Sequence, residues 1–162
     1  MIQTHTKAEL THDFDFLMGD WRVHNRKLVK RFQGSDEWET FEATQTCLPA
    51  LGGLGNTDQM IALDGTPIGM SLRFFKRETQ QWYIYWVGYS DGVMQPPVVG
   101  TFADGVGTFE GEDVWDGKPI IVRFTWTRIH SDSPRWEQFF SPDDRETWEK
   151  NWEMNFTRLD KI

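Results

Sequence analysis

Cysteine is almost missing from this sequence: Cys47 stands alone, which excludes an internal disulfide and any metal site built on several thiolates, and suits a reducing compartment. Histidine is nearly as scarce. His5, His12, His24 and His130 show neither His-x-His nor Glu-x-x-His spacing, so no metal is expected. No window approaches the roughly 18 successive apolar residues of a spanning helix, and the opening Met-Ile-Gln-Thr-His-Thr-Lys has no apolar signal core; the expectation is a cytoplasmic protein with no membrane partner. Basic residues are outnumbered, 17 against 25 acidic, for a formal charge of -8. Such a chain repels phosphate-rich partners, which removes nucleic acid from consideration. Also missing are a Gly-x-Ser-x-Gly elbow, a phosphate loop and a dinucleotide fingerprint.

What is present is aromatic. Nine tryptophans, twelve phenylalanines and three tyrosines sit in a chain whose mean hydropathy is only -0.58, so the apolar content is held by a few very large side chains. That suits thin, alternating strands with bulky inward rings. Thr6 and Glu9 have capping-box spacing and precede Leu10, Phe14 and Leu17 at helical spacing, which predicts one short helix ending near Gly19. Beyond it the period falls to two. Turn chemistry recurs around Gly34, Gly65, Arg77, Gly92, Gly105, Gly117, Ser133 and Pro142, and the intervals predict about ten antiparallel strands: 19 to 31, 38 to 50, 54 to 63, 68 to 76, 81 to 89, 97 to 103, 107 to 115, 119 to 129, 135 to 141 and 147 to 158.

With no second helix to cover a sheet and only short connections, the strands are expected to close into an up-and-down barrel. Pro96 and Pro97 lack the amide donor a central ladder needs, which places them at a mouth loop or an interrupted edge; Gly52, Gly53 and Gly55 predict a bend between the second and third strands. The whole chain, 1-162, reads as one domain, with 1-18 a helical segment closing one barrel end.

A short helix, then Gly19-Asp20-Trp21 at the first strand, then about ten meandering strands with Arg158 late on the last, resembles the lipocalin-like barrels of the calycin superfamily. More closely, Phe14 to Trp21, Gly52 to Asn56, Pro96 to Gly100, Arg135 to Gln138 and Thr147 to Trp152 resemble an uncharacterised bacterial lipocalin-like family, catalogued as a domain of unknown function. The resemblance implies that Gly19, Trp21 and Arg158 form the closure of one end, with the guanidinium over the indole, a contact of about 0.5 to 2 kcal/mol. Nitrobindin-type haem barrels are also similar, but they carry a glycine-rich extension of the motif and a late histidine ligand. Here the motif continues as Arg22, Val23 and His24, and His130 falls in a loop, so no haem and no other cofactor is expected. Fatty-acid-binding barrels hold a carboxylate with an arginine-x-tyrosine pair on the final strand; this final strand lacks it.

Alternation then offers two faces. Trp148, Trp152, Met154 and Phe156 oppose Glu149, Asn151, Glu153 and Asn155; Met70, Leu72 and Phe74 oppose Ser71 and Arg73; Ile120, Val122, Phe124 and Trp126 oppose Arg123 and Thr125. Burial stabilises by about 2 kcal/mol per large side chain, so the apolar sets are expected inside. The ligand-binding candidates on that reading are Leu72, Trp86, Trp126, Gln138 and Trp152. The opposite orientation, with Arg73, Tyr85, Arg123, Glu137 and Asn151 as an internal network, stays open. Residues 82 to 89 are bulky on both faces, so the outer side is expected to meet either a covering segment or a second subunit, with a homodimer the preferred reading. The expected function is binding of a small hydrophobic or aromatic molecule. The alternatives are a cofactor-independent isomerase or cyclase in the same pocket, for which Glu137 and Glu149 are the candidate paired carboxylates, and a protein-interaction module.

Overall fold

The computed structural model describes residues 9–159. Ten antiparallel strands run β1 (Gly19–Leu28), β2 (Trp38–Ala50), β3 (Gly55–Ala62), β4 (Pro67–Lys76), β5 (Gln81–Gly88), β6 (Val98–Ala103), β7 (Val106–Trp115), β8 (Lys118–Thr127), β9 (Arg135–Ser141) and β10 (Glu149–Arg158). Each pairs with its neighbours in sequence, and β1 pairs with β10, so the sheet closes into an all-β, up-and-down barrel. Closure leaves no unpaired edge and buries the inner rings without a covering helix. Among the described residues, no helix is long and apolar enough to cross a membrane.

The N-terminal segment departs from the expected helix. It makes two 3-10 turns, Glu9–His12 and Asp15–Leu17, while Thr6 and the side chains of Glu9 and Leu10 lie outside the described residues. A continuous helix presents one stripe, whereas this segment buries Phe14 and Leu17 across the barrel end. Phe14 meets Trp82 and Phe102 edge-on at 4.9 and 5.0 Å between ring centroids. Tertiary packing, not local helix propensity, sets its shape.

At the same end Trp21 is buried and donates its indole N–H to the Leu17 carbonyl, at 2.8 Å. The Arg158 guanidinium lies 4.1 Å from the Trp21 ring centroid and donates to the carbonyls of Met18 and Phe16, at 2.7 and 2.9 Å. Gly19 has φ +105, and a Cβ there would stand 2.9 Å from Arg158 Nη1. The backbone turn therefore favours glycine there, and a Cβ would also press on the end of the arginine that crosses it.

Two irregularities shape the other end. Between β5 and β6 only three residue pairs form, Trp82 with Gly100, Tyr83 with Val99 and Ile84 with Val98. Past them Pro96 and Pro97 cannot donate, and the seam is held by the Gln95 amide donating to the Trp86 carbonyl, at 2.9 Å. On β10 the pairing with β9 slips between Lys150 and Trp152, leaving Asn151 as an extra residue in the strand. That bulge reverses the alternation on either side of it.

Candidate functional site

The plug fills one end of the barrel; the opposite end, ringed by the β1–β2, β3–β4, β5–β6, β7–β8 and β9–β10 connections, stays open. A cavity of about 330 Å³ enters there, between Trp86, Gln95 and Pro96 on one side and Phe140 and Trp152 on the other. Its walls are positioned by packing from below. The Trp86 and Trp152 rings meet at 5.8 Å and 86°, and Trp152 meets Trp136 at 5.3 Å and 89°. Such edge-to-face pairs fix the rings' orientation. Gly69, across the β4–β5 ladder, permits this arrangement: a Cβ there would stand 2.3 Å from the Trp86 ring. Trp152 is also tethered by its indole N–H, which donates to Asn25 Oδ1 at 2.9 Å.

Below Trp86 and Trp152 the space narrows into an inner chamber of about 30 Å³, room for one or two waters or the tip of a larger molecule. One arc of this chamber is aromatic, with Phe124, Trp126 and Trp136; the other is polar, with Gln45, Ser71 and Arg73. Arg73 is held at 2.7 Å from Asp58 and donates to Asn56 Oδ1 at 2.8 Å, while the Ser71 amide donates to Asp58 Oδ1 at 3.3 Å. The ion pair is neutral as a unit and almost wholly removed from water, with 5% and 1% of the two side chains exposed. Gln45 Nε2 and Arg73 Nε keep unused donors in this buried arc. Burial pushes the neighbouring Cys47 thiol up to about 11, against the smaller opposing pull of Arg73. Cys47 is thus a neutral filler whose Sγ donates weakly to Asn56 Oδ1.

The mouth is charged. Lys27 continues the inward series of Trp21, Val23 and Asn25 on β1 and lies 4.2 Å from the Trp152 ring centroid. Arg31, in the following loop, lies 4.7 Å from Trp115 and 5.0 Å from Phe140. Both line the cavity. Burial lowers the pKa of Lys27, the charge of Arg31 lowers it further, and Glu39 opposes; burial also lowers that of Arg31, against Glu149.

The structure brings Trp86, Trp126, Gln138 and Trp152 to the interior and places Leu72 elsewhere. The inward residues of β4 are Ser71, Arg73 and Phe75, so Met70, Leu72 and Phe74 stand on the outer wall. The reason is cross-strand pairing. Asn56 and Asp58 face Arg73 and Ser71 from β3, and this mutual satisfaction outweighs the apolar gain of the other phase. The alternative polar set is divided in its turn. Arg73 is inside, and the Asn151 carbonyl accepts from Gln138 Nε2 at 2.8 Å within the wall. Tyr85, Arg123 and Glu137 face outward; Arg123 pairs with Glu110 at 2.6 Å, and Glu137 is met by Lys150 at 3.3 Å.

The Asn151 bulge carries further corrections. Trp148, expected beside Trp152 inside, lies on the outer wall 3.8 Å beneath the Arg123 guanidinium. Glu149 turns to the mouth, where it accepts from the Phe32 amide at 2.8 Å. Glu137 and Glu149 therefore occupy opposite faces of the wall and form no acid–base pair. Among the described residues, no three histidine, cysteine or acidic side chains gather as a metal site.

The residues that alternation alone overlooks are Lys27, Arg31, Gln45 and Asp58. Lys27 carries a signal, since it is in phase with Trp21 and Val23; Gln45 is in phase with Ala43 and Cys47 on β2. Arg31 would share that phase on a strand running to 31, as the sequence predicts, but β1 ends at Leu28 and Arg31 stands in the following loop, where alternation does not apply. Comparison of the chain with protein-family models finds no match, and neither does a search of curated proteins.

Proposed function

We propose that this lipocalin-like barrel is a carrier or sensor that binds a small apolar or aromatic molecule through its open end, without a cofactor. One observation carries the reading: the 330 Å³ cavity is open at a single barrel end and walled by indoles whose orientations are fixed by ring packing and by a buried hydrogen bond. Its size falls in the range of small-molecule sites, and its wall combines apolar rings with few polar groups, as such sites do. A cytoplasmic location belongs to the same proposal, given the lone unpaired thiol. Native mass spectrometry of gently purified protein, together with fluorescence titration by the neutral dye phenylnaphthylamine, tests it. A stoichiometric adduct or saturable dye binding at one site per chain is expected. A bare mass with no saturable dye signal would reject the binding function.

A second proposal rests on the outer wall. Met70, Leu72 and Phe74 on β4 and Tyr83, Tyr85 and Val87 on β5 form a half-exposed apolar surface, which we assign to a homodimer. Light scattering at micromolar concentration is expected to give twice the chain mass, and a Tyr85→Asp change to return it to the single-chain value. A single-chain mass for the unaltered protein would remove the dimer.

A further inference from the structure

Resting on the binding function proposed above, we infer that the ligand is an organic anion: an apolar or aromatic body with one carboxylate, sulfonate or phosphate group held at the mouth between Lys27 and Arg31.

The mouth places two cations in the lining of one cavity, close enough for each other's field to matter, and packs their charged heads against rings that exclude water. Lys27 lies over Trp152, and Arg31 bridges Trp115 and Phe140. Like charges so placed repel and lose hydration, an arrangement that an anion between them relieves. Among the described residues neither has a carboxylate within ion-pair distance, although exposed arginines elsewhere on the barrel do. Ring faces supply part of the compensation, since cation–π contact favours the charged form, but they supply no counter-charge.

Glu39 stands in register with Lys27 across the β1–β2 ladder and Glu149 acts on Arg31, but among the described residues neither reaches ion-pair distance, and the acidic groups nearby are otherwise placed. Glu149 accepts from the Phe32 amide, and Asp113 accepts from the Val114 amide at 2.7 Å. Glu112 is exposed on the far wall of the cavity. Glu112 and Asp113 repel an anion from the middle of β7 and leave the rim beside Lys27 and Arg31 as the place for its charge. The interior asks for no second charge, because Arg73 is already neutralised by Asp58. An amphipathic ligand therefore fits in one orientation, with its body between Trp86 and Trp152 and its charge at the rim.

Two dyes with the same ring skeleton separate the possibilities: anilinonaphthalene sulfonate, which is anionic, and phenylnaphthylamine, which is not. Each is titrated against the full chain and against Lys27→Gln, Arg31→Gln and Lys30→Gln, with circular dichroism confirming that each variant is folded. Lys30 is an exposed neighbour that does not line the cavity, so its variant removes the same charge without touching the site. The sulfonate is expected to lose about tenfold in affinity with either Lys27→Gln or Arg31→Gln, in line with a charge-assisted contact. Phenylnaphthylamine should change by less than about twofold, and Lys30→Gln should alter neither dye. Binding of both dyes with no loss of the sulfonate in the Lys27 and Arg31 variants would overturn the anion site and leave the binding function standing. An equal loss in Lys30→Gln would overturn it too, since only the overall field would then be acting. Failure of both dyes to bind the unaltered chain would reject the cavity function itself.

Discussion

Neutralising Asp58 should destabilise the barrel more than removing the whole ion pair. The Arg73 and Asp58 side chains are 5% and 1% exposed and approach to 2.7 Å; the arginine has one further acceptor, Asn56 Oδ1 at 2.8 Å. Asp58→Asn leaves a guanidinium buried beside aromatic rings with no counter-charge, and breaking such a pair from one side costs about 3–5 kcal/mol. Arg73→Met leaves the carboxylate with only the Ser71 amide, at 3.3 Å, and should cost a similar amount. The double change Asp58→Leu with Arg73→Met removes both desolvation penalties and is expected within about 2 kcal/mol of the unaltered chain, less than either single change. The residual cost comes from the Ser71 amide and Asn56, which lose their partners. Urea unfolding with linear extrapolation measures all these variants, and thermal midpoints should fall by about 6–15 °C for the singles. Single costs below about 1 kcal/mol that simply add would refute the reasoning, because they would mean that water reaches and screens the pair.

Removing the plug's clamp by Arg158→Ala should cost about 2 kcal/mol, from two carbonyl contacts and one exposed cation–π contact, and chemical denaturation should show Arg158→Lys recovering only part of it; a loss under about 0.5 kcal/mol would free Trp21 from its dependence on the arginine. Burial pushes the Glu153 carboxyl up, but Lys150, Arg26 and Arg135 outweigh it and hold the group below its ordinary value of 4.5. Its contribution is therefore complete above that value and lost as pH falls through the lower folded one, so Glu153→Gln should show a shallower loss of stability on acidification below about pH 5 in urea titrations; an unchanged slope would contradict it. Cys47, with its thiol near 11, should resist an aromatic disulfide reagent at pH 8 in the folded chain and react fully in urea, and rapid labelling of the folded protein would refute its burial.

The strand count, the meander, the barrel and the position of the proline pair at the mouth were all legible, because each depends on period and turn chemistry within a single segment. The N-terminal turns were not. Phe14 and Leu17 have helical spacing, but what they pack against is the inner surface of a closed barrel, and that surface exists only after β5, β6 and β8 have assembled. The phase of β4 was hidden for a related reason. Met70, Leu72 and Phe74 are the more apolar set, and only Asp58, with Asn56, on β3 one strand away makes Arg73 tolerable inside. The Asn151 bulge had no sequence signal, since asparagine there reads as one more outward polar residue, and its consequences run through Trp148 and Glu149 as well.

The cavity nevertheless has a source in the sequence that alternation does not reveal, namely a gradient of inward side-chain size along β4 and β8. On β8 the inward residues from mouth to plug are Ile120, Val122, Phe124 and Trp126. The neighbouring β7 pairs Gly111 with Val122 near the rim and Phe109 with Phe124 below, and at the plug Gly107, opposite Trp126, leaves its space to the Phe102 and Phe109 rings. At the plug Phe14 reaches Trp82, Phe102 and Phe109, and Trp126 reaches Phe156 at 5.2 Å. The same ten strands therefore enclose a filled layer at one end and about 330 Å³ of space at the other, because the rings gathered at the plug fill the interior there to close packing. Closure by Trp21 and vacancy at the mouth are two ends of that one gradient, and the polar arc of Gln45, Ser71 and Arg73 lies where the gradient passes from one to the other.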